Sequence, residues 1–276
     1  MSSCFSSDSL NQLAIAYPAQ PVALRHDLSG HSLFGLDRLA RLADALPERL
    51  VEWNRGDLPV GIAAQDVPQN GLTPGATVRG IETNGSWMVL KNVETDPDYA
   101  ALLSETLDAL GPAVRPATGA MADADGFVFL SSPGSVTPFH MDPEHNVLCQ
   151  LRGAKTMRIY EREGIVAPEA DEAFHAGAHR NLAYDEAFDA RSERFDLGPG
   201  DAVHVPHTAP HWVRNGDAVS VSFSVTWRSE ASARTGDLHR MNGWLRRRGL
   251  RPRAPGGPFD APKLLAFRAL RRAGAA

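Results

Sequence analysis

A chain of 276 residues, 43% hydrophobic and 22% charged, has the make-up of an ordinary globular protein with enough apolar material for a sizeable core. The first residues show no basic start leading into an apolar run, and no eighteen uncharged apolar residues occur together, so a cytoplasmic chain with no membrane span is expected. The formal net charge of −5 hides an asymmetry: residues 234–276 hold eleven Lys/Arg against Asp237 and Asp260, a net of +9 that leaves −14 on the rest, which argues against nucleic-acid binding except through the basic tail.

In chain order, residues 17–24 read as a Pro-punctuated extended piece to which no role is assigned. Leu36, Leu39, Leu42, Ala43 and Leu46 recur at helical spacing, and Pro47 then starts a short turn. Residues 54–80, rich in Gly and Pro, read as a long loop. Residues 87–90 follow Asn84-Gly85 and suit a buried strand. A helix is expected next, capped by Asp96, with Pro97 in its first turn and Leu103, Leu107 and Leu110 as its apolar face; Gly111-Pro112 should end it.

From Phe127 onward the chain is mostly strand-like. Residues 127–130, 146–151, 156–160, 202–206 and 218–227 are separated by Gly- or Pro-bearing turns, the pattern of an all-β sandwich or barrel. On the last of these, Ser220, Ser222, Ser224 and Thr226 alternate with Val219, Val221, Phe223, Val225 and Trp227, so one face is apolar and the other hydroxylic. The hydroxylic face suits a barrel interior holding a polar ligand, or an outer face in water. The long polar connection 161–195 carries Phe174, His175, His179, Tyr184 and Phe188, and either covers the barrel mouth or packs its aromatics locally. Two helical stripes close the chain, Leu238, Met241, Trp244 and Leu245, then Leu264, Leu265, Phe267 and Leu270. Cys4 and Cys149 are far apart without a Cys-x-x-Cys, so neither a disulfide framework nor a zinc ribbon is suggested, and Cys149 reads as a small buried apolar residue.

Chemistry concentrates at His140-Met141-Asp142 and at His211. Strand side chains alternate with period two, so a His-x-Asp pair on extended backbone points both side chains the same way, and a distant His from another strand supplies a third ligand. Two imidazoles and a carboxylate with open positions opposite are the ligand set of non-haem Fe(II) oxygenases. His145, His204 and His207 lie nearby, but three ligands with open positions are what that chemistry needs, so they are not counted among them.

The run 136–142, followed by Asn146, Gln150, Gly153 and Lys155 and then by Gly200-Asp201, Pro206 and His211, resembles the JmjC/cupin-like 2-oxoglutarate oxygenases, in particular the branch of the asparaginyl hydroxylase that inhibits hypoxia-inducible factor and of the bacterial ribosomal-protein hydroxylases. The resemblance implies a double-stranded β-helix (jelly-roll) barrel over residues 120–230, with residues 1–119 as helices and loops packed on it and 231–276 as a basic helical extension. It implies Fe(II), 2-oxoglutarate and O2, with His140, Asp142 and His211 as catalytic metal ligands and with Lys155 and Thr137 on the distal carboxylate of the cosubstrate. Asn146, Ser224 and Thr226 are further cosubstrate contacts; where some relatives carry Asn on the last strand this chain has Thr226, and Ala209-Pro210 replace an aromatic pair before the distal His. The expected activity is hydroxylation or oxidative demethylation of a protein side chain, or of a small molecule, by a homodimer paired through the C-terminal helices. The rival is a non-catalytic cupin-like module that binds a ligand or a protein, against which the complete set of Thr137, His140, Asp142, Lys155 and His211 weighs.

Overall fold

The computed structural model describes residues 4–274. The Ser6 hydroxyl accepts from the Ser9 amide and starts α1 (Ser7–Ala16), which leads into β1 (Val22–Arg25). The helix went unmarked because it buries only Ser9 and Leu13 and leaves Ile15 exposed, so it has no apolar stripe to read. α2 (Leu36–Ala45) buries Leu39, Ala40, Leu42 and Ala43, as its spacing requires. β2 (Val51–Arg55) opens the segment read as loop, and α3 (Pro74–Arg79) sits inside it, capped by the Thr73 hydroxyl. All five residues of β3 (Ser86–Leu90) are buried.

α4 (Pro97–Thr118) overturns one expectation. It starts at the Asp96 cap but runs through Gly111, Pro112 and Pro116 to Gly119, whose φ of 79° ends it. An interior proline removes a hydrogen bond and crowds the preceding turn. Here Leu110, Ala113 and Val114 are buried in the core while Pro112 and Pro116 share the exposed side, so packing of one face outweighs the lost bonds on the other.

The remaining strands are β4 (Ala122–Ser131), β5 (Val136–His140), β6 (His145–Arg152), β7 (Lys155–Tyr160), β8 (Ser192–Leu197), β9 (Asp201–Val205), β10 (His211–Asn215) and β11 (Ser220–Arg228), with α5 (Pro168–His175) before β8 and α6 (Glu230–Arg246) and α7 (Asp260–Arg272) at the end. They pair antiparallel into a seven-stranded sheet, β1-β9-β6-β11-β4-β3-β2, and a four-stranded sheet, β5-β10-β7-β8. This is the jelly-roll, cupin-like arrangement of mainly β structure with flanking helices. The first 119 residues are not only helix and loop, because β1, β2 and β3 extend the larger sheet at both edges.

β11 divides the interior. Val221, Phe223, Val225 and Trp227 pack with Leu13, Leu39, Tyr99, Leu110 and Val114 on the helical side. Each such side chain contributes about 1.5–3 kcal/mol on full burial. The opposite face, Ser220, Ser222, Ser224 and Thr226, is also buried, so the reading of it as an outer face in water falls. Between the sheets, Leu148, Val203 and Val205 from the larger meet Met157, Ile159 and Val213 from the smaller. Phe139, Tyr160 and Trp212 form a third cluster, covered by Tyr184, Phe188 and Ile165 of the 161–195 connection.

Candidate metal centre

β10 carries the register that assembles the centre. His211 stands opposite His140 on β5 and opposite Ile159 on β7, and Asp142 follows β5 by two residues. The Asp142 carboxylate lies 3.6 Å from Nε2 of His140 and 3.6 Å from Nε2 of His211, and the two rings are 4.1 Å apart between centroids. All three donor atoms fall within 4.8 Å of one another. Each imidazole is held from behind: Nδ1 of His140 donates to the Pro138 carbonyl at 2.7 Å, and Nδ1 of His211 to the Ala209 carbonyl at 2.9 Å. A carbonyl can only accept, so the proton sits on Nδ1 and the Nε2 lone pair faces the centre, which is the orientation a metal-ligating histidine needs.

Burial lowers His211 to about 3, so its ring stays neutral. Burial pushes the Asp142 carboxyl up, but the neighbouring imidazoles and the Arg180 guanidinium more than offset it and hold the group well below the usual range. Two imidazoles with Nε2 turned inward and one carboxylate, oriented and mostly shielded from water, fit a divalent first-row metal.

Thr137 reaches the same face through a bulge. Between the pairs His211–His140 and Val213–Thr137, β5 uses three residues where β10 uses two, so Thr137 and His140 share a side that strict alternation would deny them. The irregularity also sends Phe139 outward into the aromatic cluster. On β7, Lys155, Met157 and Ile159 share the inner face; with Ile159 level with His211, the Lys155 backbone lies four residues, about 13 Å, further along. Lys155 is 6% exposed, and among the described residues its ammonium has no hydrogen bond or ion pair. Burial lowers it to about 7. Directly opposite stands Asn215, whose Nδ2 donates to the Ser135 carbonyl while its buried Oδ1 has no partner. Asn215 was not singled out from sequence, since only the register with Lys155 gives it a place.

On the larger sheet, Ser224 donates to Oδ1 of Asn146 at 3.0 Å, Ser222 to Oε1 of Gln150 at 2.7 Å, and Thr226 to the Asp125 carbonyl at 3.2 Å. These hydroxyls are engaged within the sheet. His204, His145 and His207 stand apart from the centre: His204 is fully buried with Nδ1 on the Gln20 carbonyl, His145 bonds the Ser229 hydroxyl, and His207 stacks on the His175 ring and has the tilted His145 ring 5.7 Å away between centroids.

A cavity of ≈ 240 Å³ opens onto His140 and Thr137 and is walled by Glu52, Arg180, His179 and Trp87. Lys155 does not line it. Glu52 pairs with Lys91 at 2.7 Å and with Arg180 at 3.4 Å. The 161–195 connection thus does both things expected of it: residues 179–181 wall the cavity, while Tyr184 and Phe188 pack on the back of the smaller sheet.

Residues 118–234 match the model of the JmjC domain. "Jumonji C domain-containing protein 5" of Drosophila melanogaster is 30% identical over 120 residues, 36% of this chain and 26% of that one, and "Lysine-specific demethylase JMJ30" of Arabidopsis thaliana is 28% identical over 108 residues, 36% and 25%. The matched stretch therefore spans about a quarter of the length of these curated relatives. Among solved structures, Escherichia coli ycfD superposes with a TM-score of 0.55 at 16% identity over 98% of this chain and 68% of that one. A second structure of YcfD, described as a ribosomal oxygenase in complex with cobalt and 2-oxoglutarate, gives 0.53 at 16% over 97% and 67%. At this identity the likeness concerns the fold.

Proposed function

We propose that this chain, whose residues 118–234 are a JmjC domain, is an Fe(II)- and 2-oxoglutarate-dependent dioxygenase that hydroxylates a protein side chain. The observation that carries the reading is the convergence of His140, Asp142 and His211, each imidazole presenting an Nε2 already oriented by a backbone carbonyl. His140, Asp142 and His211 hold the iron. When bound, iron with 2-oxoglutarate and O2 supplies the oxidising power that inserts one oxygen atom into a substrate C–H bond.

The chain's own work is placement. The Lys155 ammonium, on a buried side chain and without a partner among the described residues, takes the far carboxylate of 2-oxoglutarate, and the Thr137 hydroxyl, brought to the same face by the bulge, donates to it. The side chains of Asn146, Ser224 and Thr226 are already committed within the sheet, so we expect them to support the cosubstrate site more than to bind in it. The apolar wall of Leu148, Val203, Val205, Met157, Ile159 and Val213 keeps water from the reacting atoms.

The cavity beside His140 has room for one side chain, and its charged rim of Glu52 and Arg180 suits a polypeptide in water. The description of the Escherichia coli protein as a ribosomal oxygenase agrees with a protein substrate. Oxidative demethylation would be the same attack on an N-methyl carbon. We place the enzyme in the cytoplasm and expect it to pair through its C-terminal helices, where Leu265 of α7 and, in the link before it, Leu250 and Phe259 lie exposed.

Anaerobic addition of 2-oxoglutarate to the Fe(II)-loaded chain should produce the visible charge-transfer band of a chelated 2-oxo acid, and oxygen should then yield succinate. Neither band nor succinate from an iron-loaded chain would turn the reading to a non-catalytic binding module. The substrate class is tested by comparing proteins from wild-type and deletion cells by mass spectrometry for lost oxygen-mass adducts.

A further inference from the structure

Away from the JmjC centre, a second set of metal-binding side chains is buried where α5 meets α6. Asp171 and His175 sit four apart on α5, the spacing that stacks two side chains on one helix face. His239 of α6 faces them, and one ligand atom from each of the three lies within 4.8 Å of the others. All three residues are more than nine-tenths buried. The His175 and His239 rings are 5.0 Å apart and 15° from parallel, so an ion reached by both lies along one edge of the stack.

His175 also has an orphan, since its buried Nε2 finds no hydrogen-bond partner. An unpartnered imidazole nitrogen in the interior is costly, and a metal ion is one of the few ligands that satisfies it. Burial lowers both imidazoles, which favours the neutral form that ligates. Asp171 is held by Arg162, whose Nη2 donates to both carboxylate oxygens at 2.6 and 2.5 Å while Nη1 donates to the Thr208 carbonyl. A carboxylate has about four lone-pair sites, so this grip orients Asp171 as an outer-shell partner orients a ligand and leaves room for an ion. A cavity of ≈ 330 Å³ lined by Asp171, His239, Asn242 and Arg246 gives a path from the surface.

We infer that Asp171, His175 and His239 form a second metal site, suited to zinc, that staples the 161–195 connection to the C-terminal helices. Zinc accepts two imidazoles, a carboxylate and one water in a tetrahedron without geometric demands of its own. Bonds of ~2.0–2.2 Å would draw the donors to roughly 3.3 Å from one another, a movement that side-chain rotation provides. The ion adds to links already present between the same elements, the Arg246–Glu172 pair and the bond from Nε of Arg240 to the His175 carbonyl. Through Arg162 and Thr208 it also braces the turn that leads into His211.

The test uses the full chain with His211→Ala, which disables the first centre, stripped with chelator, loaded with Zn2+ and desalted. One equivalent of zinc should remain, Co2+ in its place should show the intense visible bands of a four-coordinate ion, and the melting temperature should rise by several degrees on loading. His239→Gln on that background should abolish all three signals, and Asp171→Asn, which keeps the side-chain shape, repeats the test from α5 should the first variant not fold. A His211→Ala chain that retains no zinc overturns the site and leaves the trio as an imidazole stack beside an Arg162–Asp171 ion pair. So does retained zinc that survives both substitutions.

Discussion

Lys155 and Asn215 face each other across β7 and β10, and neither the ammonium of the first nor Oδ1 of the second has a partner among the described residues. A cation on a buried side chain without a partner is costly unless something anionic arrives. A charged hydrogen bond of this kind contributes about 1.5–3 kcal/mol, and about 1.4 kcal/mol is tenfold. Lys155→Met should therefore weaken 2-oxoglutarate about ten- to a hundredfold while leaving iron in place. Thr137→Val should give a smaller loss of the same kind, since one neutral donor disappears. An anaerobic titration of the Fe(II) chain followed by its visible band measures both, and an unchanged curve for Lys155→Met would remove the residue from the site.

The same burial makes a prediction about pH. With Lys155 lowered to about 7 in the folded chain against 10.5 unfolded, the unfolded state binds the extra proton between those values, so this residue's contribution makes the cosubstrate-free protein more stable as pH rises through that window. Lys155→Met should remove that slope from melting curves. Binding of a carboxylate needs the protonated amine, so 2-oxoglutarate affinity should fall as pH rises above about 7. Calorimetry in two buffers of different ionisation enthalpy should show proton uptake on binding.

Replacing His140, Asp142 or His211 by Ala should each abolish tight Fe(II) retention. His207→Ala should keep it, because that ring packs against His145 and His175 and lies outside the trio. Metal analysis after desalting separates the two classes. Equal loss of iron from His207→Ala and His211→Ala would mean that the distal ligand is misplaced.

Pro112 lies on the exposed side of α4, six residues before the helix ends. Pro112→Ala returns an amide to the ladder, worth ~3 kcal/mol by helix propensity, less ~0.4–1 kcal/mol for the greater freedom of the unfolded chain. A gain of about 2–2.6 kcal/mol should appear in urea unfolding, with the midpoint raised and the slope unchanged.

The C-terminal helices provide the last prediction. α7 buries Leu264 and Phe267 but leaves Leu265 70% exposed, and Phe259 at its start is 58% exposed. If this face pairs two copies, Leu265→Glu should convert a dimer to a monomer by light scattering without lowering the melting temperature of the chain itself. A wild-type monomer at high concentration would refute the pairing.

Much of the fold was legible because the signals were local. The alternation of Ser220, Ser222, Ser224 and Thr226 with large apolar residues marked β11, and the Asp96-Pro97 cap marked the start of α4. Local signals also misled where packing decided. Gly111-Pro112 looks like a helix end, yet burial of Leu110, Ala113 and Val114 carries α4 onward, and α1 has no apolar stripe to announce it. β8 hides as a charged edge strand that buries only Phe195 and Leu197.

The sequence by itself determined the chemistry available at His140, Asp142 and His211, because a His-x-Asp pair and a distant histidine are a ligand set wherever they converge. Only the tertiary structure decided the rest. The bulge between β5 and β10 puts Thr137 beside His140, and the register of β10 with β7 sets Asn215 against Lys155. The docking of α5 on α6 joins His239 to Asp171 and His175 across more than sixty residues of chain. A one-residue change of register turns a side chain to the opposite face of a sheet, and helix docking is set by packed surfaces, so neither is written in the local pattern of residues.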